Sequence, residues 1–292
     1  MFNGFTIHDI DVDGVRIHAR VGGNGPPVLL LHGYPQTHVI WRDVGEALAQ
    51  SHTVVVSDLR GYGDSGKPAS DTNHSTYSKR AMAADQVGLM AALGHERFAV
   101  VGHDRGARVA HRLCLDYPTK AERAVVLDIV PTRHVFATVN RALATAYDHW
   151  FFLAEEPDLP EVLIGGAPEH FLRRKLHQWS GPHAVFDEQA MSEYIRCFSD
   201  SDTIRASCED YRAAASIDLD HDDADAADGR RIRCPLLVLW GEQGFVGNNY
   251  DVLEVWRGYA DDVRGQGLHC GHFIPEEAYE QTTAALRGFL SS

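Results

Sequence analysis

Five short apolar runs, each closing on a polar or glycine residue, constrain this chain more than any other feature. Residues 28–31 run into His32-Gly33, 54–56 into Ser57-Asp58, 98–101 into Gly102, 125–127 into Asp128, and 236–240 into Gly241. Because they are continuously apolar and do not alternate, they read as strands covered on both faces, as in a parallel sheet. Helical periodicity lies between them, at 41–49, 79–93 and 105–115. Alternating strand and helix means α/β, with the polar signals collected at the carboxyl edge of the sheet. Residues 6–20 alternate and turn at Asp13-Gly14, which predicts an opening hairpin. The rhythm breaks after Pro131, where a long helical stretch with turns at Gly165-Gly166 and Gly181-Pro182 intervenes. The expected organisation is one α/β core, 1–130 and 226–292, interrupted by a helical cap, 131–225. The acidic stretch 218–228 reads as a solvated return loop.

The 292 residues are 44% hydrophobic and 23% charged, enough for a sizeable core. Forty-one acidic against 27 basic residues give a net charge of −14, which argues against nucleic-acid or anionic-membrane partners. A few local cations could still capture a small anion. No apolar run approaches the roughly 20 residues that span a bilayer, and the N-terminus lacks a basic and apolar leader pattern. Five scattered cysteines without a CxxC read as reduced thiols, hence a cytoplasmic protein. The 17 histidines include no HExxH and no Cys/His cluster, so no metal is expected.

The chemistry concentrates in Gly102-His103-Asp104-Arg105-Gly106, at a strand-to-helix turn. It fits the pattern G-x-nucleophile-x-G, with Asp where Ser is usual. Small flanking residues permit the sharp turn, and the carboxylate lies by the N-terminus of the next helix. Taken alone the pattern is common, and Asp104 could equally be a helix N-cap. The context decides. His32-Gly33-Tyr34-Pro35 follows one strand and Asp58-Leu59-Arg60-Gly61-Tyr62-Gly63-Asp64-Ser65 the next, and His272 stands near the C-terminus. These segments resemble the HG-x-P turn, the following loop and the late histidine of the α/β-hydrolases, over nearly the full length. The resemblance implies the α/β-hydrolase fold: a mostly parallel central sheet flanked by helices, with an inserted helical cap.

The usual acid of that fold follows the strand ending Trp240-Gly241-Glu242, but the expected place holds Gly244. Asp128 is the better partner for His272, with Glu242 as the fallback. An Asp nucleophile attacks an sp³ carbon and leaves an alkyl ester, which a histidine-activated water hydrolyses. The backbone N–H groups of Tyr34 and Arg105 would hold the oxyanion.

Arg105 and Arg108, three apart, share a helix face. Two guanidinium groups beside a carboxylate suit an anionic substrate, although part of their charge could serve to keep Asp104 ionised. The segment Gly102-His103-Asp104-Arg105-Gly106-Ala107-Arg108 closely resembles the nucleophile segment of the fluoroacetate dehalogenases. Tyr147-Asp148-His149-Trp150-Phe151 and Cys208-Glu209-Asp210-Tyr211-Arg212 resemble that family's halide-pocket segments. The resemblance implies that Arg105 and Arg108 hold the substrate carboxylate and that His149, Trp150 and Tyr211 hold the halide. Trp179 would line the pocket with them. Tyr34 departs from the family, which often has Phe there. The expected reaction converts fluoroacetate or another short 2-haloacid to glycolate and halide. No cofactor or metal is implied, and a homodimer is what the family suggests. Two alternatives stand beside this reading. One is an epoxide hydrolase using the same Asp, with Tyr211 and either Tyr147 or Tyr194 polarising the epoxide. The other is a non-catalytic ligand-binding protein of the same fold.

Overall fold

The computed structural model describes residues 1–291. Eight strands form one sheet in the order β1-β2-β4-β3-β5-β6-β7-β8. They are β1 (Thr6–Val12), β2 (Val15–Gly22), β3 (Pro27–Leu31) and β4 (Thr53–Ser57), then β5 (Phe98–His103), β6 (Ala121–Leu127), β7 (Leu236–Gly241) and β8 (Val263–Leu268). β1 and β2 make the antiparallel hairpin at one edge, turning at Asp13-Gly14; β2 joins β4 antiparallel and the remaining pairs are parallel. All six residues of β5 are buried, whereas β1 alternates because one of its faces meets solvent.

The core helices are α1 (Arg42–Leu48), α2 (Lys79–Ala92) and α3 (Arg105–Asp116). Eight more occupy the stretch between β6 and β7. They are α4 (Thr132–Ala137), α5 (Arg141–Ala146), α6 (Asp148–Phe152), α7 (Leu159–Gly165), α8 (Pro168–Trp179), α9 (Glu188–Phe198), α10 (Ser201–Ala214) and α11 (Ile217–Ala227). The chain closes with α12 (Phe245–Asn249), α13 (Val252–Arg257), α14 (Ile274–Glu277) and α15 (Tyr279–Leu290). No helix among the described residues is long and apolar enough to cross a membrane.

The acidic stretch is a helix and not the solvated loop its composition suggested. Asp218, Asp222 and Asp225 fall on one face of α11 at i, i+4 and i+7. That face meets Lys79, Arg112 and Arg230: Asp218 accepts from the Lys79 amide at 2.8 Å, Asp222 pairs with buried Arg112 at 2.7 Å, and Asp225 pairs with Arg112 and with the exposed Arg230 at 2.6 Å. Arg112 and Lys79 are buried and would be costly without these carboxylates. The break expected between residues 225 and 226 accordingly falls within α11.

β3 is the topological switch of the sheet: the chain steps from it to β4 on one side and returns to β5 on the other. Open α/β sheets leave a crevice at the carboxyl ends of such neighbouring strands. Here it receives the turns carrying Tyr34 and Asp104.

Candidate active site

Asp104 sits between β5 and α3 at φ 47°, ψ −114°, a conformation that non-glycine residues rarely adopt. Its glycine neighbours make that turn possible. A Cβ on Gly102 would lie 2.3 Å from the Gly106 carbonyl oxygen, and one on Gly106 would lie 2.4 Å from the His32 carbonyl oxygen. The Asp104 side chain makes no capping bond to α3, so the N-cap alternative is not what holds it. Its Oδ1 instead accepts a 2.8 Å bond from the Tyr34 amide on the β3 turn. Burial pushes the Asp104 carboxyl up, but His272, His103, Arg105 and Arg108 together outweigh it and leave the pKa below the ordinary value. The group is therefore held as a carboxylate.

His272 follows β8. Its Nδ1 lies 2.6 Å from Asp128 Oδ2, and its Nε2 lies 3.9 Å from Asp104 Oδ2, beyond hydrogen-bond reach. The other oxygen of Asp128 accepts from the Gly241 amide at 2.9 Å, which fixes the carboxylate at the end of β6. Burial lowers the imidazole pKa, but the Asp128 hydrogen bond and charge, followed by Asp104, raise it above the ordinary histidine value. Glu242 is directed elsewhere: its carboxylate is half exposed and faces His269 at 3.6 Å. Of the two acids weighed from sequence, the geometry places Asp128 and not Glu242 on His272.

Arg105 and Arg108 are both buried on one face of α3, each with an aromatic ring against its guanidinium. Arg105 lies 4.1 Å from the Tyr211 ring centroid and Arg108 lies 4.6 Å from that of Trp150. Arg108 Nη1 donates to the Val130 carbonyl (3.0 Å) and to Thr132 Oγ1 (3.1 Å). Burial and the neighbouring Arg105 lower the Arg108 pKa from its ordinary value.

A cavity of about 120 Å³ borders Asp104, Asp128, His272, His149, Trp150 and Trp179. Arg105, Arg108 and Tyr211 are not part of its lining; they are buried against two of the lining rings, the arginines on Trp150 and Tyr211 on His149 and Trp150. The His149 and Trp179 rings are 4.4 Å apart, and Tyr34 packs edge-on to Tyr211 at 5.3 Å. Four buried polar atoms in this aromatic box have no hydrogen-bond partner among the described residues. They are His149 Nδ1, Trp179 Nε1 and the hydroxyls of Tyr34 and Tyr211. Each unmet donor costs about 1–3 kcal/mol, so a cluster of them beside a cavity is the mark of a site shaped for a ligand. Burial, then Lys175, hold His149 well below the ordinary imidazole value, so it is neutral and can still donate.

The α/β-hydrolase-fold family matches residues 26–279. A fluoroacetate dehalogenase from Burkholderia sp is 43% identical over the whole of this chain and 95% of its own length. The chain belongs to the haloacetate dehalogenase family of the α/β-hydrolase superfamily. Among solved structures, that of a Nostoc sp PCC 7120 protein described as an α/β hydrolase is 54% identical, with a TM-score of 0.97 and 99% of each chain covered. A soluble epoxide hydrolase of Corynebacterium sp. (strain C12) is more distant, 34% identical over 95% of this chain and 94% of its own length.

As a member of this family, the chain adds residues that sequence reasoning passed over. Asp210, Lys79 and Tyr62 surround Arg105, and they lie 105, 26 and 43 positions from it, too far apart for any local motif to show. The available signal was chemical: a buried arginine requires an acceptor. Glu277 was also missed. It collects the amides of Gly181 (2.7 Å), Gly271 (2.9 Å) and Phe273 (2.8 Å), fixing the loop that carries His272. His103, whose pKa burial and His272 lower to about 3, is neutral and donates through Nε2 to the His272 carbonyl at 2.8 Å. Tyr194, weighed as an epoxide-polarising group, instead donates to Glu276 at 3.1 Å. The one group with metal-ligand spacing among the described residues is His18, His38 and Asp58. Those side chains already have protein partners: His18 Nδ1 is bonded to Asp9, His38 Nδ1 to Asp58 within the group, and His38 Nε2 accepts from Arg20 Nε.

Proposed function

We propose that the chain hydrolyses fluoroacetate and related short 2-haloacids to glycolate and halide through an ester on Asp104. The observation that carries this reading is the conjunction of an ionised elbow carboxylate, two buried arginines and a small cavity edged with unmet hydrogen-bond donors. Arg105 and Arg108 bind the substrate carboxylate. Asp104 Oδ2 displaces halide from the adjacent carbon, forming a C–O bond as the carbon–halogen bond breaks. His149, Trp150 and Tyr211 donate to the departing halide, a strong requirement when fluoride leaves. His272, oriented by Asp128, then removes a proton from water, and the hydroxide adds to the Asp104 carbonyl carbon. The Tyr34 and Arg105 amides hold the oxyanion on Oδ1. Collapse expels glycolate, which takes the proton from His272.

The helices between β6 and β7 act as the cap over this reaction. Epoxide hydrolysis is the weaker reading, because it gives the arginine pair no task and loses Tyr194 as a donor. Turnover in ¹⁸O-water tests the proposal. Fluoride should appear with chloride-free fluoroacetate, and in the first turnover the label should enter Asp104, leaving the glycolate unlabelled. Label found in first-turnover glycolate would mean that water attacks the substrate directly.

A pH dependence follows from the charges around His272. The imidazole must be neutral to act as the base, so ester hydrolysis falls as pH drops through its pKa. Asp104 helps raise that pKa in the resting enzyme, and ester formation removes its charge. The midpoint for hydrolysis of the accumulated ester should therefore lie below the midpoint of His272 in the resting chain. Single-turnover rates against pH, set beside an NMR titration of the imidazole, measure the two; coincident midpoints would contradict the coupling.

A further inference from the structure

Arg105 has its own counterion. Its Nε and Nη2 donate to the two carboxylate oxygens of Asp210 at 2.9 and 2.6 Å, and Nη2 also donates to the Asp210 carbonyl at 2.8 Å. Its Nη1 has no partner among the described residues. Asp210 is fully buried on α10, one of the helices inserted between β6 and β7, while its other donors come from the core. The Tyr62 hydroxyl donates to Oδ2 at 2.7 Å, and the Lys79 ammonium donates to Oδ1. Burial works against the Asp210 charge, but Arg105 and Lys79 overcome it and hold the carboxyl well below the ordinary range. Arg108, in contrast, has no carboxylate within ion-pair distance among the described residues.

A guanidinium beside a carboxylate adopts a two-bond fork when nothing else occupies its donors. Asp104 is the anion at hand, and a fork between Arg105 and Asp104 would tie up the attacking oxygens. The Asp210 carboxylate takes one edge of Arg105 first, and the Tyr211 ring, next in sequence, lies against the guanidinium, 4.1 Å from centroid to Cζ. Nη1, with its two N–H donors, is left for a ligand. We propose that Asp210 is a positioning residue: it turns Arg105 away from Asp104 and aims Nη1 at the acid end of the substrate. Arg108 then supplies the uncompensated positive charge, and Arg105 supplies direction. This division of labour suits a small acid carrying a single negative charge. The proposal rests on the haloacid reading above, and deepens it by making a residue of the inserted helices set substrate affinity.

The test compares the wild-type chain with Asp210→Asn, using chloroacetate turnover and glycolate as a competitive inhibitor. The KM for chloroacetate and the inhibition constant of glycolate should rise together by ~10-fold or more. Turnover of neutral chloroacetamide should fall as well, because Arg105 released from Asp210 can fork onto the Asp104 oxygens, but its KM should stay within about threefold, which a general loss of structure would not permit. Unchanged KM and inhibition constant in a folded variant would overturn the assignment, and so would an equal rise in KM on both substrates. Should Asp210→Asn fail to fold, Tyr62→Phe decides. It removes one donor from Asp210 and keeps the ring, and it should raise both constants by about threefold; no rise overturns the proposal. A wild-type chain that neither releases halide from any haloacetate nor binds glycolate overturns the underlying reading, and the assignment with it. An active wild-type chain with an indifferent Asp210 overturns the assignment alone.

Discussion

Asp104→Asn is expected to abolish halide release, lowering kcat by ~10⁴-fold or more, equivalent to about 5 kcal/mol of barrier. The substitution changes almost nothing except the nucleophile. An Asn oxygen can still accept from the Tyr34 amide, the side chain keeps its volume, and the glycines around the elbow are untouched. A neutral amide oxygen, however, does not displace fluoride from carbon. Glycolate binding should tighten severalfold in the same variant, because the Asp104 carboxylate no longer repels the ligand's acid group across the pocket. Opposite movements of kcat and affinity would separate this outcome from damage to the pocket. Stopped turnover is read with a fluoride electrode, and mass spectrometry confirms that the Asn has not reverted to Asp. Continued turnover with the amide intact would remove carboxylate substitution from the mechanism.

The elements that carry this prediction were legible in the sequence to different degrees, for physical reasons. Strands buried on both faces write themselves as unbroken apolar runs, so β3 to β7 and the turns that follow them could be placed from residue types alone. Asp104, Arg105 and Arg108 are close in sequence, and a strand-to-helix turn with a helical face relates them by spacing. Asp128 could be weighed against Glu242, but only geometry puts its oxygen 2.6 Å from His272. The acidic run showed the limit of composition. Seen as charge density it suggests a solvated loop, whereas its i, i+4, i+7 spacing is that of a helix face answering Arg112 and Lys79. Asp210 was harder still, since the contact joins α3 to a helix about a hundred residues later and no pattern in either segment names the other. Ion pairs of that kind are selected by burial, and burial is a property of the assembled chain.

His272→Asn should produce one halide per chain and then stop. The first step needs no base: Asp104 is already ionised, and His272 Nε2, 3.9 Å from Oδ2, makes no hydrogen bond to it. The second step does need one, because water at neutral pH adds to an alkyl ester slowly, and an asparagine cannot take its proton. The two halves of the reaction are therefore separable here in a way that a serine nucleophile, which needs the histidine in both, would not allow. The expected signature is a stoichiometric burst of fluoride or chloride, followed by protein heavier by one carboxymethyl group on the peptide containing Asp104. Hydrolysis of that ester should be slowed by ~10⁴-fold or more. Asp128→Asn should show the same burst followed by slow turnover, since the imidazole remains but its tautomer and orientation are no longer fixed by the 2.6 Å contact. Steady turnover after the burst in His272→Asn would assign the base to another group. No burst at all would place His272 in the first step, and with it the proton that the ionised Asp104 does not carry.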